Sequence, residues 1–139
     1  MRRPIAGILV CLIALAPAAC GSSTPTTPTT PVTTTDTFSG TLSQNGAVTN
    51  TFSTATSGTV TATLTVVGPD ATKALGFSLG TYNTTTATCQ IVLDNSLALQ
   101  GAVLGGSATS QGTYCVRTYD PGTITADTPF TFTITVEHP

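Results

Sequence analysis

The chain has 139 residues, of which 40% are hydrophobic and only 7% are charged, and it contains no Trp. That length suits one domain with short appendages. Four basic and six acidic residues give a formal net charge of −2, and two of the basic residues stand at the extreme N-terminus. Binding to nucleic acid needs clustered Lys and Arg, so the composition excludes nucleic acid as a partner and argues against electrostatic binding to an anionic membrane.

The first segment, residues 1–19, is typical of a bacterial secretory signal peptide. Arg2 and Arg3 form a positive start, an apolar run extends from Ile5 to Ala16, and small residues follow. The run is shorter than the roughly 20 apolar residues that a transmembrane helix requires. We therefore expect residues 1–19 to be removed on export and to take no part in the fold.

Cys20 directly follows Ala18 and Ala19, and this ending resembles the lipobox of bacterial lipoproteins. The resemblance implies that the Cys20 thiol carries acyl chains such as palmitate, which anchor a protein by about 0.8 kcal/mol per buried CH₂. Pro17 departs from the pattern, which prefers Leu there; ordinary leader cleavage, leaving Cys20 as a free thiol, is the alternative. We expect an exported protein anchored to the bacterial cell envelope, at the outer membrane or cell surface rather than the cytoplasmic membrane.

Residues 20–36 are predicted to be the lipidated Cys followed by an unfolded tether. The stretch after Cys20 consists almost entirely of Thr, Pro and Ser, with proline at every third position from Pro25 to Pro31. It has almost nothing apolar to bury and cannot offset the entropy cost of ordering. Its prolines favour an extended polyproline II conformation of about 3.1 Å per residue.

Residues 37–139 are predicted to form a single all-β domain. Thr accounts for 33 residues of the chain, and β-branched side chains favour strands. Two segments, 57–67 and 129–136, show strict alternation of apolar residues with Thr or Ser, which is typical of half-buried strands. We expect an antiparallel β-sandwich of the jelly-roll or immunoglobulin-like type, with about seven to nine strands and Thr-rich faces toward water.

The positions of the individual strands follow from the same alternation. In the two clearest strands the apolar faces are expected to hold Val60, Ala62, Leu64 and Val66, and Phe130, Phe132, Ile134 and Val136. Weaker strands are expected at 37–43, 47–54, 74–80, 87–94, 112–119 and 122–127, with a Gly-rich interval at 101–107. In the 87–94 strand Cys89, Ile91 and Leu93 should share one side. Turns are expected at Asn45-Gly46, Gly68-Pro69-Asp70, Asp94-Asn95 and Asp120-Pro121-Gly122.

Cys89 and Cys115 are the only cysteines of the predicted domain. In an exported protein such a pair indicates a disulfide. The loop that it closes would remove chain entropy from the unfolded state equivalent to roughly 3.5 kcal/mol. Metal binding is the alternative, but two thiols without a nearby His are half of a zinc site.

The domain resembles the bacterial pre-peptidase C-terminal domain, a small β-sandwich usually appended to secreted peptidases and other exported enzymes. The residues that carry the resemblance are Phe38-Ser39-Gly40-Thr41-Leu42, Phe52, Gly58-Thr59-Val60, Gly112 to Arg117, Tyr119-Asp120 and Phe130 to Val136. The carboxylates that family members often place in a central strand are missing from Ala74–Leu79. The resemblance implies a β-sandwich and a non-catalytic role beside an exported enzyme.

Acid–base and metal chemistry have few residues to draw on. His138 is the only histidine and lies next to the C-terminus, where we expect fraying, so a nucleophilic triad is not expected. Asp94, Asp120 and Asp127 could supply paired carboxylates for glycoside hydrolysis, but all three stand at turn signals, where Asp is favoured for local hydrogen bonds. Calcium at the acidic turns is the remaining alternative; no cofactor or metal is predicted.

The function expected from the sequence is binding rather than catalysis. Tyr82 and Tyr119 are the candidate ligand-facing residues, as exposed platforms for sugar rings, whereas Tyr114 is expected to pack in the core. The first hypothesis is a lipid-anchored module that binds a surface polysaccharide or protein. The second is an accessory or chaperone-like module for a separately encoded secreted enzyme, and a hydrolase that uses Asp94 or Asp120 is the third.

Overall fold

The computed structural model describes residues 32–139, where eight strands form and no helix. The expected signal peptide, Cys20 and nearly all of the expected tether lie outside these residues. The strands are β1 (Thr34–Leu42), β2 (Ala47–Thr54), β3 (Gly58–Gly68), β4 (Leu75–Asn83), β5 (Thr88–Ala98), β6 (Val103–Ala108), β7 (Gly112–Tyr119) and β8 (Phe130–His138).

The strands form two four-stranded sheets, ordered β1-β8-β3-β6 and β2-β7-β4-β5, and every neighbouring pair is antiparallel. The predicted antiparallel β-sandwich is confirmed, and the winding is that of an eight-stranded jelly roll. This winding sorts the connections between two ends. The entry end holds the start of β1, the end of β8 and the loops 55–57, 84–87 and 109–111. The distal end holds the loops 43–46, 69–74, 99–102 and 120–129.

The core lies between the two sheets and is formed by the alternate residues that the sequence indicates. The apolar face of β8 is buried as predicted, and so is that of β3 from Val60 to Leu64. Val66 was expected in the core but is 46% exposed, and Val67 is buried instead at 3%. The reason is a bulge, because the register of β3 against β8 shifts between Leu64 and Val66.

A second bulge overturns the expected pattern of β5. Leu79 pairs with Leu93 while the next residue, Gly80, pairs with Ile91, so Val92 has no partner on β4. Leu93 therefore packs against the core, whereas Ile91 and Cys89 lie on the opposite side of the sheet. The prediction that these three residues share one side is wrong, as is the predicted turn at Asp94-Asn95, which lies inside β5.

The remaining differences concern one missed strand, one strand that does not form, and a terminus. The Gly-rich interval contains β6, which pairs with β3. Residues 122–127 do not form a strand.

The expected fraying at His138 is not seen: this residue pairs with Thr34 in the β1–β8 ladder and is 3% exposed. Its Nε2 lies 3.1 Å from Asp36 Oδ2, and its ring is 5.0 Å from that of Phe52, beside a groove of about 920 Å³ at the entry end.

Candidate functional site

The candidate site is the surface of the β2-β7-β4-β5 sheet that faces away from the core. Because Tyr114 and Val116 of β7 pack toward the core, alternation directs Arg117 and Tyr119 to the other side. We call this surface, with Arg117, Tyr119, Ser78, Asp94 and Tyr82 as its main side chains, the outer face. It carries both tyrosines that the sequence indicates as candidate ligand-facing residues, Tyr82 and Tyr119.

One row of paired residues crosses the outer face from edge to edge. Thr49 pairs with Arg117, Arg117 pairs with Ser78, and Ser78 pairs with Asp94. Ser78 is fully buried although it points away from the core, and its hydroxyl donates to Asp94 Oδ1 at 2.7 Å. The cross-strand row therefore brings a carboxylate and a guanidinium to the same part of the sheet, with a buried serine between them.

Tyr119 is held flat on the sheet by a glycine and a carboxylate. Its ring occupies the space that a Cβ of Gly76 would need, so only glycine permits this position. Its hydroxyl donates to both oxygens of Asp94, at 3.1 Å each. Burial raises the pKa of Tyr119, and the hydrogen bond and the negative charge of Asp94 raise it further, while Arg117 opposes the shift. Tyr119 is thus a fixed part of the surface rather than a bare aromatic platform.

Arg117 lies against the ring of Tyr119, with its Cζ 5.2 Å from the ring centroid. This is the distance of a cation–π contact, which holds the guanidinium in place. Among residues 32–139 no carboxylate oxygen lies within 4.0 Å of its nitrogens, because the only close pair of opposite charges there is His138 with Asp36. The guanidinium is therefore half-buried, oriented and free to bind an external acceptor.

The predicted disulfide between Cys89 and Cys115 is confirmed, with a Cα–Cα distance of 5.9 Å. It joins β5 to β7, which are not neighbours, because β4 lies between them. The bridge crosses β4 near Gly80, which pairs with Cys115, and the carbonyl of Gln90 fills the place of a Cβ at Gly80. The disulfide therefore links the edge strand β5 to β7 across β4.

Tyr82 lies on the same face, at the entry end of β4, where it pairs with Cys89. Tyr119 pairs with Gly76 near the distal end. Six residues of extended strand separate Gly76 from Tyr82, so the two tyrosines lie roughly 20 Å apart. They share a surface that a long polymer could follow, but they do not form one pocket. Tyr114 packs against the core, as expected.

The acidic turns serve the fold. Oδ1 of Asp120 accepts hydrogen bonds from the backbone N–H groups of Gly122, Thr123 and Ile124, and Oδ2 accepts one from Asn45. Partial burial would raise the pKa of Asp120, but these four donors outweigh it and hold the pKa below its ordinary value.

Asp70 has a similar role in its own turn. Its carboxylate accepts from the side chain and the backbone of Thr72, and these bonds lower its pKa. Over residues 32–139, no three His, Cys, Asp or Glu side chains come close enough together to share a metal ion. Asp94 lies in the strand β5, whereas Asp120 and Asp127 lie in the loop between β7 and β8.

A second surface is apolar and lies along one side of the sandwich, where β5 and β6 end their sheets. Five large exposed hydrophobic side chains belong to β5, to the loop after it and to the first residue of β6, and we call this stretch the aliphatic side: Ile91, Val92, Leu97, Leu99 and Val103. A cavity of about 70 Å³ between the sheets adjoins Val92 and exists partly because Gly106 has no side chain. This surface cannot be predicted from the sequence alone, since it depends on which strands become edges.

Arg117 was also missed, although a signal was present. It alternates with Cys115 and Tyr119 in a strand whose other face carries Tyr114 and Val116, so its outward position could be predicted. The absence of a carboxylate partner for Arg117 could not be predicted, since it depends on strand pairing.

No family model matches the chain, and no match was found among curated proteins. Residues 32–139 contain no helix long and apolar enough to span a membrane.

Proposed function

We propose that this chain is a non-catalytic, lipid-anchored protein of the bacterial cell envelope whose β-sandwich binds a surface polymer, either a polysaccharide or a protein. The observation that supports it is the outer face, where Arg117, Tyr119 and Tyr82 are presented on a sheet braced by a disulfide. The resemblance to pre-peptidase C-terminal domains is consistent with a binding module of this kind. Attachment through Cys20 rests on the lipobox-like sequence.

The non-catalytic part of the proposal rests on how the acidic and basic groups are used. The oxygens of Asp94 and Asp120 accept hydrogen bonds from the protein's own donors, and His138 is buried beside Asp36. A general base or nucleophile must instead reach the substrate. If the chain hydrolyses a polysaccharide, and Asp94→Asn or Asp120→Asn abolishes that activity, this part of the proposal is contradicted.

The test is a depletion assay with the purified full chain in detergent. Insoluble chitin, cellulose, peptidoglycan and collagen are each incubated with the protein, with and without calcium, and the protein left in solution is measured. We expect at least one polymer to deplete it, and Tyr82→Ala to weaken that depletion. Thr41→Ala, an exposed change on the other sheet, is the matched control and should bind normally. The proposal is overturned if none of these polymers depletes the protein and no soluble polysaccharide or acidic polypeptide retards it in a native gel.

The aliphatic side supports a second candidate, an accessory or chaperone-like module for a separately encoded secreted enzyme. Its five exposed aliphatic side chains belong to the edge strands β5 and β6 and to the loop that joins them, and large exposed apolar surfaces mark protein-interaction sites. The unpaired backbone groups of an edge strand can also bind an extended segment of another chain.

Crosslinking in the native envelope separates the two candidates. If the second holds, an exported enzyme is crosslinked to the wild-type chain, and Val92→Ser with Leu97→Ser abolishes the product. Val32→Ser removes an exposed valine outside the aliphatic side and should leave it unchanged. If the aliphatic-side variant is crosslinked as well as the wild type, the second candidate is wrong.

A further inference from the structure

The Arg117 guanidinium, stacked on Tyr119, is the one strong charge on the outer face that its neighbours leave free. Both hydroxyls that approach Asp94, from Ser78 and Tyr119, donate to its carboxylate. Asp94 thereby has partners of its own, and no carboxylate of the described residues lies within 4.0 Å of the guanidinium. The Asp94 carboxylate is therefore bound by Ser78 and Tyr119, and the Arg117 guanidinium remains available to a ligand.

The chemistry of an oriented guanidinium favours a carboxylate ligand. Its planar fork of N–H donors matches the two oxygens of a carboxylate in a bidentate pair, which is stronger than a neutral hydrogen bond. Contact with an aromatic ring restricts the side chain before the ligand arrives and lowers the entropy cost of binding. Tyr119 itself, with its ring packed on Gly76, offers little free aromatic surface for stacking on a neutral sugar.

The surroundings of Arg117 decide which carboxylate ligand fits. The outward positions of β2 beside it are Thr49 and Thr51, both exposed, so two hydroxyl-bearing residues lie on one side of the Arg117 position. Residues 32–139 contain two basic residues, Lys73 and Arg117, and six acidic residues, which gives a formal charge of −4. This negative charge repels a densely charged polyanion. A chain with spaced carboxylates among many hydroxyl groups suits this surface better than an acidic peptide.

We infer that Arg117 and Tyr119 form a carboxylate-binding site for a polysaccharide that contains uronic acid residues. The inference rests on the proposed function, because it names the ligand class of the outer face. Arg117 binds the uronate carboxylate, Tyr119 orients the guanidinium, and Asp94 with Gly76 holds Tyr119 in position. The hydroxyls of Thr49 and Thr51 lie beside the carboxylate subsite, and Tyr82 lies further along the same face.

The test is affinity electrophoresis of the full chain in detergent, in native gels that contain hyaluronan, in which uronic acid alternates with a neutral sugar. The matched polymer is carboxyl-reduced hyaluronan, in which each carboxylate has become a hydroxymethyl group. We expect retardation by hyaluronan that weakens with added salt and is lost with the reduced polymer. Arg117→Gln should weaken binding roughly tenfold to a hundredfold, as for a lost hydrogen bond to a charged group.

Two further variants control for charge and for folding. Arg117→Lys keeps the charge without the fork and should bind between the wild type and Arg117→Gln. Lys73→Gln removes the other cation of residues 32–139, in the 69–74 loop, and should bind like the wild type. Thermal unfolding of each variant shows whether it is folded. If Arg117→Gln does not fold, the comparison of Arg117→Lys with Lys73→Gln decides.

The outcomes separate the inference from the proposed function. Equal retardation by native and reduced hyaluronan, or unchanged binding of Arg117→Gln, would overturn the inference and leave polymer binding in place. Arg117-dependent retardation by polyglutamate but not by hyaluronan would replace the polysaccharide with an acidic peptide and also overturn it. If no polymer of either assay binds, the proposed function fails together with the inference.

Discussion

At the scale of single residues, the outer face depends on a glycine. Gly76 is buried under the ring of Tyr119, and the ring's position there lets the hydroxyl reach Asp94. The same ring supports the Arg117 guanidinium. A residue without a side chain thus makes room for the ring whose hydroxyl binds Asp94 and whose face contacts Arg117.

Gly76→Ala should destabilise the domain and displace Tyr119. The added Cβ would occupy the space of the ring, and overpacking of this kind costs about 1–3 kcal/mol. Urea unfolding measures the free energy of unfolding. A spectrophotometric titration should show one tyrosine with a lower pKa than in the wild type, because Tyr119 would lose its burial and its contact with Asp94.

Gly105→Ala is the matched control for this prediction. Gly105 also lies in a strand, but nothing lies within 4 Å of the position of its Cβ. We expect unchanged or slightly higher stability, because alanine restricts the unfolded chain more than glycine does. Equal effects of the two substitutions would show that the ring of Tyr119 does not rest on Gly76.

Asp120 should make stability depend on pH in the acid range. Its folded pKa lies below its unfolded value of about 3.9, so the stabilisation is complete above that pH and is lost as the pH falls through the folded pKa. Asp120→Asn, which does not titrate, should be less stable than the wild type at neutral pH by about 1 kcal/mol. The difference should shrink as the pH falls below about 4.

The control for Asp120 is Asp127→Asn, at an exposed position in the same 120–129 loop. Acid and neutral urea denaturation of both variants provides the comparison. Asp127→Asn should match the wild type throughout. A constant gap between wild type and Asp120→Asn across the acid range would mean that the four backbone N–H groups do not favour the ionised form.

At the scale of elements, β4 is the strand on which the sheet is built. It is buried on both sides from Leu75 to Gly80. The core covers one side. On the other side lie the ring of Tyr119, Asp94 bonded to Ser78, and the disulfide. The strand β5 pairs only with β4 and is otherwise an edge. The disulfide links β5 to β7, a strand with which it does not pair.

Breaking the disulfide should lower the free energy of unfolding by roughly 3.5 kcal/mol, for a loop closed by cysteines 26 residues apart. Urea denaturation with and without reductant measures the change. Cys89→Ala with Cys115→Ala should reproduce the reduced protein and respond no further to reductant. Hydrogen exchange should show that β5 loses protection before the other strands. Coincident unfolding curves of the oxidised and reduced protein would contradict the prediction.

The sequence predicts the elements well where the alternation is strict. It places β3 and β8 almost residue by residue, because apolar side chains and threonines alternate there without interruption. The same reasoning fails at bulges. Nothing in the sequence marks an interruption of the alternation near Val66 or Val92, but the pairing register with the neighbouring strand shifts by one residue at each place. The strand β6 was missed because two adjacent glycines conceal its alternation.

The candidate site is predictable only in part, for a related reason. Its tyrosines and disulfide follow from residue type and count. The free guanidinium of Arg117 depends on which carboxylate lies nearby and on what else that carboxylate binds. Asp94 was assigned to a turn, and its place between Ser78 and Tyr119 follows from the register of β4 against β5 and β7. Such pairings link residues far apart in sequence.

At the scale of the whole molecule, the winding separates the two ends of the sandwich. The chain enters at Thr34, so a membrane anchor at Cys20 would attach to the entry end. The outer face runs along the length of the domain from that end to the distal end, and the aliphatic side lies along its edge. A polymer bound to the outer face can therefore extend away from the anchor.

Cys20→Ser should release the protein from the membrane into the soluble fraction, because the lipidated thiol would be lost. Fractionation of cells that express the full chain, together with incorporation of labelled palmitate, measures the change. Cys11→Ser, a second cysteine of the N-terminal segment, is the matched control and should stay at the membrane with label. Membrane retention of Cys20→Ser would refute lipidation at this residue.

The pairing of β1 with β8 has a mechanical consequence for an anchored protein. β1 is an edge strand that begins at the entry end, and nine residue pairs join it to β8 from Thr34 to Leu42. Tension from the anchor, acting along β1 while a polymer holds the opposite sheet, would shear these pairs together instead of peeling them one by one. If the chain is anchored at Cys20 and binds a polymer as proposed, the first strand after the anchor is thus oriented to carry load.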